Sequence, residues 1–294
     1  MNNINVSIVV PSFNKGAFIE ETIQSVLRQS CEGIELIVID GGSQDQTHAI
    51  LNKYRQEIDR CVIEVDEGQS DAINKGIAMA RGGIVGWLNA DDLLYVDGIR
   101  AIMDAFAKDP EAGVVYGAGA KIDLEGNEIK QIPYRPFDPR LLRQLFYILQ
   151  PCMYFKRELF LRVGGLNRQS HYAMDWELCL KMMAIARFRA IPEKVAQLRM
   201  YEGTKTSGGG WDSYREIARI GRQLNGMRDV NFIAYYLRTM VAAVRLPGVD
   251  RLLRIWVDKI CDRLAGGDLY MVCHWPERFQ GGKGPRSAGQ ESGP

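Results

Sequence analysis

Residues 84–93 read IVGWLNADDL, an apolar run that stops at two adjacent carboxylates, Asp91 and Asp92. The stretch from Ile84 to Leu88 has the length and content of a strand buried on both faces. In open α/β sheets ligands collect outside the carboxyl ends of the strands, which is where this acidic pair falls. A hard divalent cation takes oxygen ligands, often one or two carboxylates together with substrate phosphates. The pair therefore suits a cation-bound diphosphate. Asp is also favoured in turns, so capping the following turn is the competing role.

Three further turns of similar character lie upstream. The apolar run Val6 to Val10 ends in Pro11, Ser12, Phe13 and Asn14. Glu35 to Ile39 leads into Asp40, Gly41, Gly42, Ser43 and Asp45, and Cys61 to Val65 leads into Asp66, Glu67, Gly68, Gln69, Ser70 and Asp71. Between the strands, apolar residues recur at helical spacing: Phe18, Ile19, Ile23, Val26 and Leu27, then Ile50, Leu51 and Tyr54, then Ile73, Ile77 and Ala80. Alternating strands and helices imply a parallel sheet covered on both faces, and right-handed crossovers bring all four turns to one edge.

The ordered set VSIVVPSFNKGAFIEETIQSVLRQS, ELIVIDGGSQDQT, DEGQSDAINKGIAMARGGIVGWLNADD and VGGLNRQSHYAMDWELCLKM resembles the family 2 glycosyltransferases, in particular the bacterial enzymes of O-antigen and exopolysaccharide synthesis. The resemblance spans residues 5–200. It implies a GT-A fold, an α/β architecture with a Rossmann-like, mostly parallel sheet flanked by helices. The expected organisation is a catalytic domain over residues 1–205, divided into a nucleotide-sugar half (1–120) and an acceptor half (121–205). A helical C-terminal region (206–279) and a disordered, glycine-rich tail (280–294) follow.

On this resemblance Asp40 meets the uracil end of the nucleotide, with Pro11, Ser12 and Phe13 lining the neighbouring strand end. A carboxylate followed by Gly41 and Gly42 can accept hydrogen bonds from a base or ribose. Gly68 and Asp71 are carried to the donor side, although Asp71 also suits the positive end of its helix, residues 70–81. Asn89 replaces the first aspartate of the family's D-x-D, so Asp92 is assigned the metal, Mn²⁺ or Mg²⁺, and Asp91 the sugar or ribose.

Asp175 is the candidate base, opening a helix marked by Met174, Leu178, Leu180, Met182 and Met183. Met174 stands where the family usually has an acidic residue. Glu177 is two residues on, off the helical face of Asp175, and with Trp176 it is assigned to the acceptor. A base on the face opposite the departing diphosphate implies inversion at the anomeric carbon. Weaker signals are Gly164 and Gly165 as a helix stop, Tyr172 as a sugar-stacking ring, and Lys205 in a glycine-rich segment able to close over a diphosphate. His171 receives no role.

Of 294 residues, 46% are hydrophobic and 25% charged, typical of a globular enzyme. With 37 basic against 36 acidic residues no global field favours nucleic acid. Six scattered cysteines without a CxxC pair read as reduced, and no secretory signal opens the chain, so a cytoplasmic location is expected. No apolar stretch reaches the ~20 residues of a membrane span. Residues 228–263 carry seven basic residues against four aspartates, which suits an anionic inner-membrane surface, packing on the catalytic domain, or a homodimer contact. The expected partners are a nucleotide-sugar donor and a saccharide or lipid-linked acceptor. Two rival readings are a catalytically silent nucleotide-sugar-binding scaffold and a nucleotidyltransferase. The latter usually carries a basic, glycine-rich phosphate loop near its first strand, which residues 11–15 do not resemble. A dinucleotide-binding GxGxxG is absent after that strand.

Overall fold

The computed structural model describes residues 5–144, 146–201 and 210–225. The chain divides into two units, Met1–Met227 and Arg228–Pro294, and every described residue belongs to the first. The segment 228–263, Lys205 and the tail 280–294 lie outside the described residues. The expected catalytic boundary at residue 205 falls inside the first unit.

Four strands, β1 (Val6–Ser12), β2 (Ile34–Asp40), β3 (Arg60–Ile63) and β4 (Ile84–Trp87), run parallel in the order β3-β2-β1-β4. The connecting helices are α1 (Ile19–Leu27), α2 (Thr47–Lys53) and α3 (Gln69–Met79). Side chains alternate across a strand, so each face gathers its own core. Ile8, Val10, Leu36 and Val38 pack with Ile19 and Ile23 of α1, whereas Val9, Ile37 and Ile39 pack with Ile73 and Ile77 of α3. The expected parallel sheet and its shared edge are therefore present.

The second half adds mixed pairing. After β5 (Leu93–Leu94) and α4 (Gly98–Lys108), the long β6 (Ala112–Ile122) runs beside β7 (Glu128–Ile132). Past α5 (Pro139–Gln144), the short β8 (Met153–Lys156) inserts antiparallel between β4 and β6. α6 (Arg157–Arg162) ends where Gly164 and Gly165 take positive φ, with Gly165 N–H donating to Phe160 O, the stop expected from sequence. α7 (Met174–Met183) leads to β9 (Arg187–Arg199), which lies parallel to β6 and antiparallel to β5. The last described element is α8 (Gly210–Asn225), whose Ile220 is buried in the same core as α7.

Candidate active site

The loops leaving β1, β2, β3 and β4 meet at the carboxyl edge. Asn14 adopts a left-handed φ of 51° and locks the first two together: its N–H donates to Ser43 Oγ at 2.7 Å and its Oδ1 accepts from Gln44 N–H at 2.8 Å. Asn reaches that conformation more readily than most side chains. Asp40 is fully buried beneath this junction. Its Oδ1 accepts from the Gly42 and Ser43 amides and its Oδ2 from Ser43 Oγ, while His48 Nε2 lies 3.0 Å from Oδ1. Pro11 and Ser12 are buried at the end of β1, and Phe13 is largely exposed beyond them. Ser12 Oγ is buried with no hydrogen-bond partner among the described residues.

Gly68 precedes α3 with φ 106° and ψ −179°, a conformation restricted essentially to glycine. The turn it makes brings Asp71 into the edge, where it is buried. Lys75 Nζ lies 3.1 Å from Asp71 Oδ2 and Arg168 Nη2 3.0 Å from Oδ1. Burial works against the charge, but Lys75, the Glu67 amide and Arg168 hold the carboxyl below its ordinary value. Asp71 thus sits in the first turn of α3, the helix-end position expected for it.

Asp91 and Asp92 follow β4 and are both buried. Lys15 Nζ, from the β1 loop, donates to Asp91 Oδ2 at 2.7 Å, and Tyr201 Oη, just after β9, donates to the same oxygen at 2.6 Å. Lys15 also hydrogen-bonds Tyr201. Asp92 Oδ1 accepts from Arg199 N–H at 2.9 Å and Oδ2 from Asn89 Nδ2 at 2.9 Å. Burial first, and then the adjacent Asp91, push the Asp92 carboxyl well above its ordinary value. The Arg199 guanidinium braces the turn through Asp91 O and Glu21 Oε2.

A divalent cation fits this pair. The donors are hard oxygens, and each Asp92 oxygen has a second lone pair beyond the hydrogen bond just described. Among the described residues no three His, Cys, Asp or Glu side chains form a cation cage, so the remaining oxygens would come from a bound diphosphate.

A polar path leads from this turn toward α7. Gln69 Nε2 donates to Asn89 Oδ1 at 2.6 Å, and Ser70 Oγ lies 3.0 Å from both Ser170 O and Met174 Sδ. The next residue is Asp175, whose Oδ1 accepts from the Trp176 amide at 2.8 Å. Burial, with a smaller contribution from Glu216, pushes the Asp175 carboxyl up to about 6. That places it near the range in which a base works at neutral pH.

Trp176 and Glu177, expected at the acceptor, are both turned into the interior. Trp176 is buried in the core, with its indole N–H on Leu142 O at 2.7 Å. Glu177 is buried and committed to Ser170 Oγ at 2.5 Å, Asn167 and Lys181. Their helical positions turn inward, whereas Tyr172 remains 39% exposed. Sequence reasoning missed Lys15, Tyr201, Arg199 and Glu216. A lysine in a strand-end loop on the acidic edge was a usable signal; the other three act across long stretches of chain and carry no local one.

The sequence matches the family described as Glycosyl transferase family 2 over residues 7–164, more than half of the chain. It is 28% identical over 204 residues to a chondroitin synthase of Escherichia coli, covering 69% of this chain but only 30% of that protein. It is 29% identical over 179 residues to a PGL/p-HBAD biosynthesis glycosyltransferase of Mycobacterium bovis, covering 60% of this chain and 68% of that one. Among solved structures, TarS 1–349 of S. aureus in complex with UDP-GlcNAc superposes with a TM-score of 0.64 at 18% identity, covering 90% of this chain and 84% of that chain. The mannosyltransferase PcManGT of Pyrobaculum calidifontis, in complex with GDP-Man and Mn²⁺, superposes at 0.57 with 20% identity, covering 90% and 87%. These likenesses establish the GT-A fold. Because the family match runs through every strand and turn that carries Asp40, Asp71, Asp91 and Asp92, the chain belongs to glycosyl transferase family 2.

Proposed function

We propose that this protein is an inverting glycosyltransferase that moves a sugar from a nucleotide diphosphate sugar, most simply a UDP-sugar, to a hydroxyl of a saccharide or lipid-linked saccharide in surface polysaccharide synthesis. The observation that carries this reading is the link, through Gln69 on Asn89 and Ser70 on Met174, between a buried acidic turn, Asp91–Asp92 with Lys15, and a carboxylate of raised basicity, Asp175.

Asp40, Pro11, Ser12 and Phe13 form the nucleoside end, where the Phe13 ring is exposed to a ligand. Gly68 and Asp71 flank the donor, and Asp91 contacts the ribose or sugar. Mn²⁺ or Mg²⁺ held by Asp92 would neutralise charge developing on the departing diphosphate. Lys15 contributes a positive charge on the same side of the site.

Asp175 takes the proton of the acceptor hydroxyl while that oxygen bonds the anomeric carbon. The bond from this carbon to the diphosphate oxygen breaks on the opposite face, and the nucleoside diphosphate leaves with the electron pair. Configuration is inverted, and no protein nucleophile is needed. Tyr172, exposed three residues before Asp175, is the ring we assign to the acceptor. Two structural neighbours in complex with UDP-GlcNAc and with GDP-Man support a nucleotide-sugar donor.

The test is a nucleotide-release assay across UDP-, GDP- and dTDP-sugars with Mn²⁺ or Mg²⁺, followed by the anomeric configuration of the product. Release from one nucleotide class with inversion is expected. Absence of both release and nucleotide binding across the panel would overturn the reading.

A further inference from the structure

Helix α8 lies beyond the stretch matched to the family, yet it reaches the segment that presents Asp175. Glu216 is buried on the face of α8 turned to α7. Its carboxylate accepts three consecutive backbone N–H groups: His171 at 2.7 Å on Oε2, and Tyr172 at 2.8 Å and Ala173 at 2.7 Å on Oε1. Successive amides that converge in this way form a nest for an anion, and here the anion is a side chain from another element. These amides lead into α7, whose N-cap is Ala173.

Arg219, three residues further along α8, grips the same segment. Its Nη2 donates to Ser170 Oγ at 2.6 Å and stands 3.8 Å from Glu177 Oε2. Ser70 of α3 holds the segment from the other side through Ser170 O and Met174 Sδ. Residues 170–174 are therefore clamped between α3, which carries Asp71, and α8, and Asp175 follows directly.

We propose that α8 belongs to the catalytic apparatus, with Glu216 as a positioning residue that fixes the 171–173 amides and through them the Asp175 carboxylate. This inference rests on Asp175 being the base. A small displacement of a reacting group costs up to ~10²-fold in rate, so the clamp acts on turnover and leaves donor affinity alone.

The test compares full-length wild type, Glu216→Ala, Glu216→Gln and Asp175→Asn for transfer rate, donor KM, UDP affinity and melting temperature, with and without added acetate. Acetate replaces the carboxymethyl atoms that Glu216→Ala removes and can refill the nest. Expected is a roughly 10- to 100-fold lower kcat in Glu216→Ala with UDP affinity unchanged, a smaller loss in Glu216→Gln, and partial recovery of Glu216→Ala alone on adding acetate. If Glu216→Ala melts below the assay temperature, Glu216→Gln carries the same comparison of kcat with KM. Full activity in both Glu216 variants alongside an inactive Asp175→Asn would overturn the clamp and leave the base standing. Loss of rate in step with UDP affinity and without acetate recovery would make Glu216 a folding residue only. An active Asp175→Asn would instead remove the base assignment.

Discussion

Lys15 Nζ lies 2.7 Å from Asp91 Oδ2, so a cation from the loop after β1 already stands on the acidic pair that follows its parallel neighbour β4. Burial alone would weaken the ammonium, but Asp91 and Tyr201 outweigh it and raise the lysine pKa. Lys15 thereby tempers the repulsion between Asp91 and Asp92 before any divalent ion binds. In Lys15→Met that screening is gone. UDP affinity should then depend more steeply on Mn²⁺ than in wild type, with a further loss of about tenfold or more at low metal, the scale of a charge-assisted hydrogen bond. Calorimetric titration of UDP over a series of Mn²⁺ concentrations measures it. An unchanged metal dependence would show that Lys15 plays no part in balancing the pair.

Asp92 gives a prediction of opposite sign for stability and binding. Its carboxyl is buried, beside Asp91, and pushed upward, so ionising it costs the metal-free fold. Asp92→Ala removes that cost and also the ligand proposed for the cation. Metal-linked UDP affinity should disappear while the metal-free protein remains folded. Circular dichroism melting and UDP titration with and without Mn²⁺ check both halves; retained metal linkage would reassign the ligand.

β1, β2 and β4 were legible because each is apolar and largely buried, and β3, whose residues are exposed or half-buried, because helical spacing separates it from its neighbours. The second half was not. β6 contains Gly113, Gly117 and Gly119 and pairs with β9 across about 75 residues with register shifts, and β9 mixes buried with exposed positions, so neither shows a clean period. At the site the same limit applies. Asp91, Asp92 and Asp175 announce themselves by following a strand or opening a helix. Glu216 and Arg199 read as ordinary surface charges until the fold brings Glu216 to the His171 amide and Arg199 to Asp92. Trp176 shows a different limit, since an aromatic beside a candidate base suits a sugar platform and a core equally well, and only the fold shows that its ring is buried.

The packing of α3 on β1 depends on Gly76, where a Cβ would stand 2.4 Å from Val9 Cγ1. Ala improves helix propensity by up to ~1 kcal/mol, but forcing a methyl into a filled core costs roughly 1–3 kcal/mol. The clash should win. Gly76→Ala is expected to lower the urea midpoint and, by shifting the helix that carries Asp71, to weaken UDP binding. A variant as stable as wild type would mean that α3 can move outward at little cost.

Asp175 links pH, stability and turnover. Its carboxyl rises from 3.8 to about 6 on folding, mainly through burial, so between those values the folded chain holds more protons than the unfolded one. Stability therefore falls as pH rises through that window, and above about 6 the ionised carboxylate costs the fold up to ~3 kcal/mol, an upper bound because the residue is partly exposed. Asp175→Asn keeps the oxygen that accepts from the Trp176 amide at 2.8 Å and removes the charge. Its melting temperature should exceed that of wild type at pH 8, and the gap should close toward pH 4. Turnover moves the other way. Wild-type kcat should climb through an acid limb near pH 6 as the base ionises, whereas the variant loses about 10²- to 10⁴-fold at neutral pH and its limb disappears. Melting curves and pH–rate profiles on the same two proteins read both effects. A variant that gains no stability at pH 8, or a wild-type profile without that limb, would place the proton acceptor on another group.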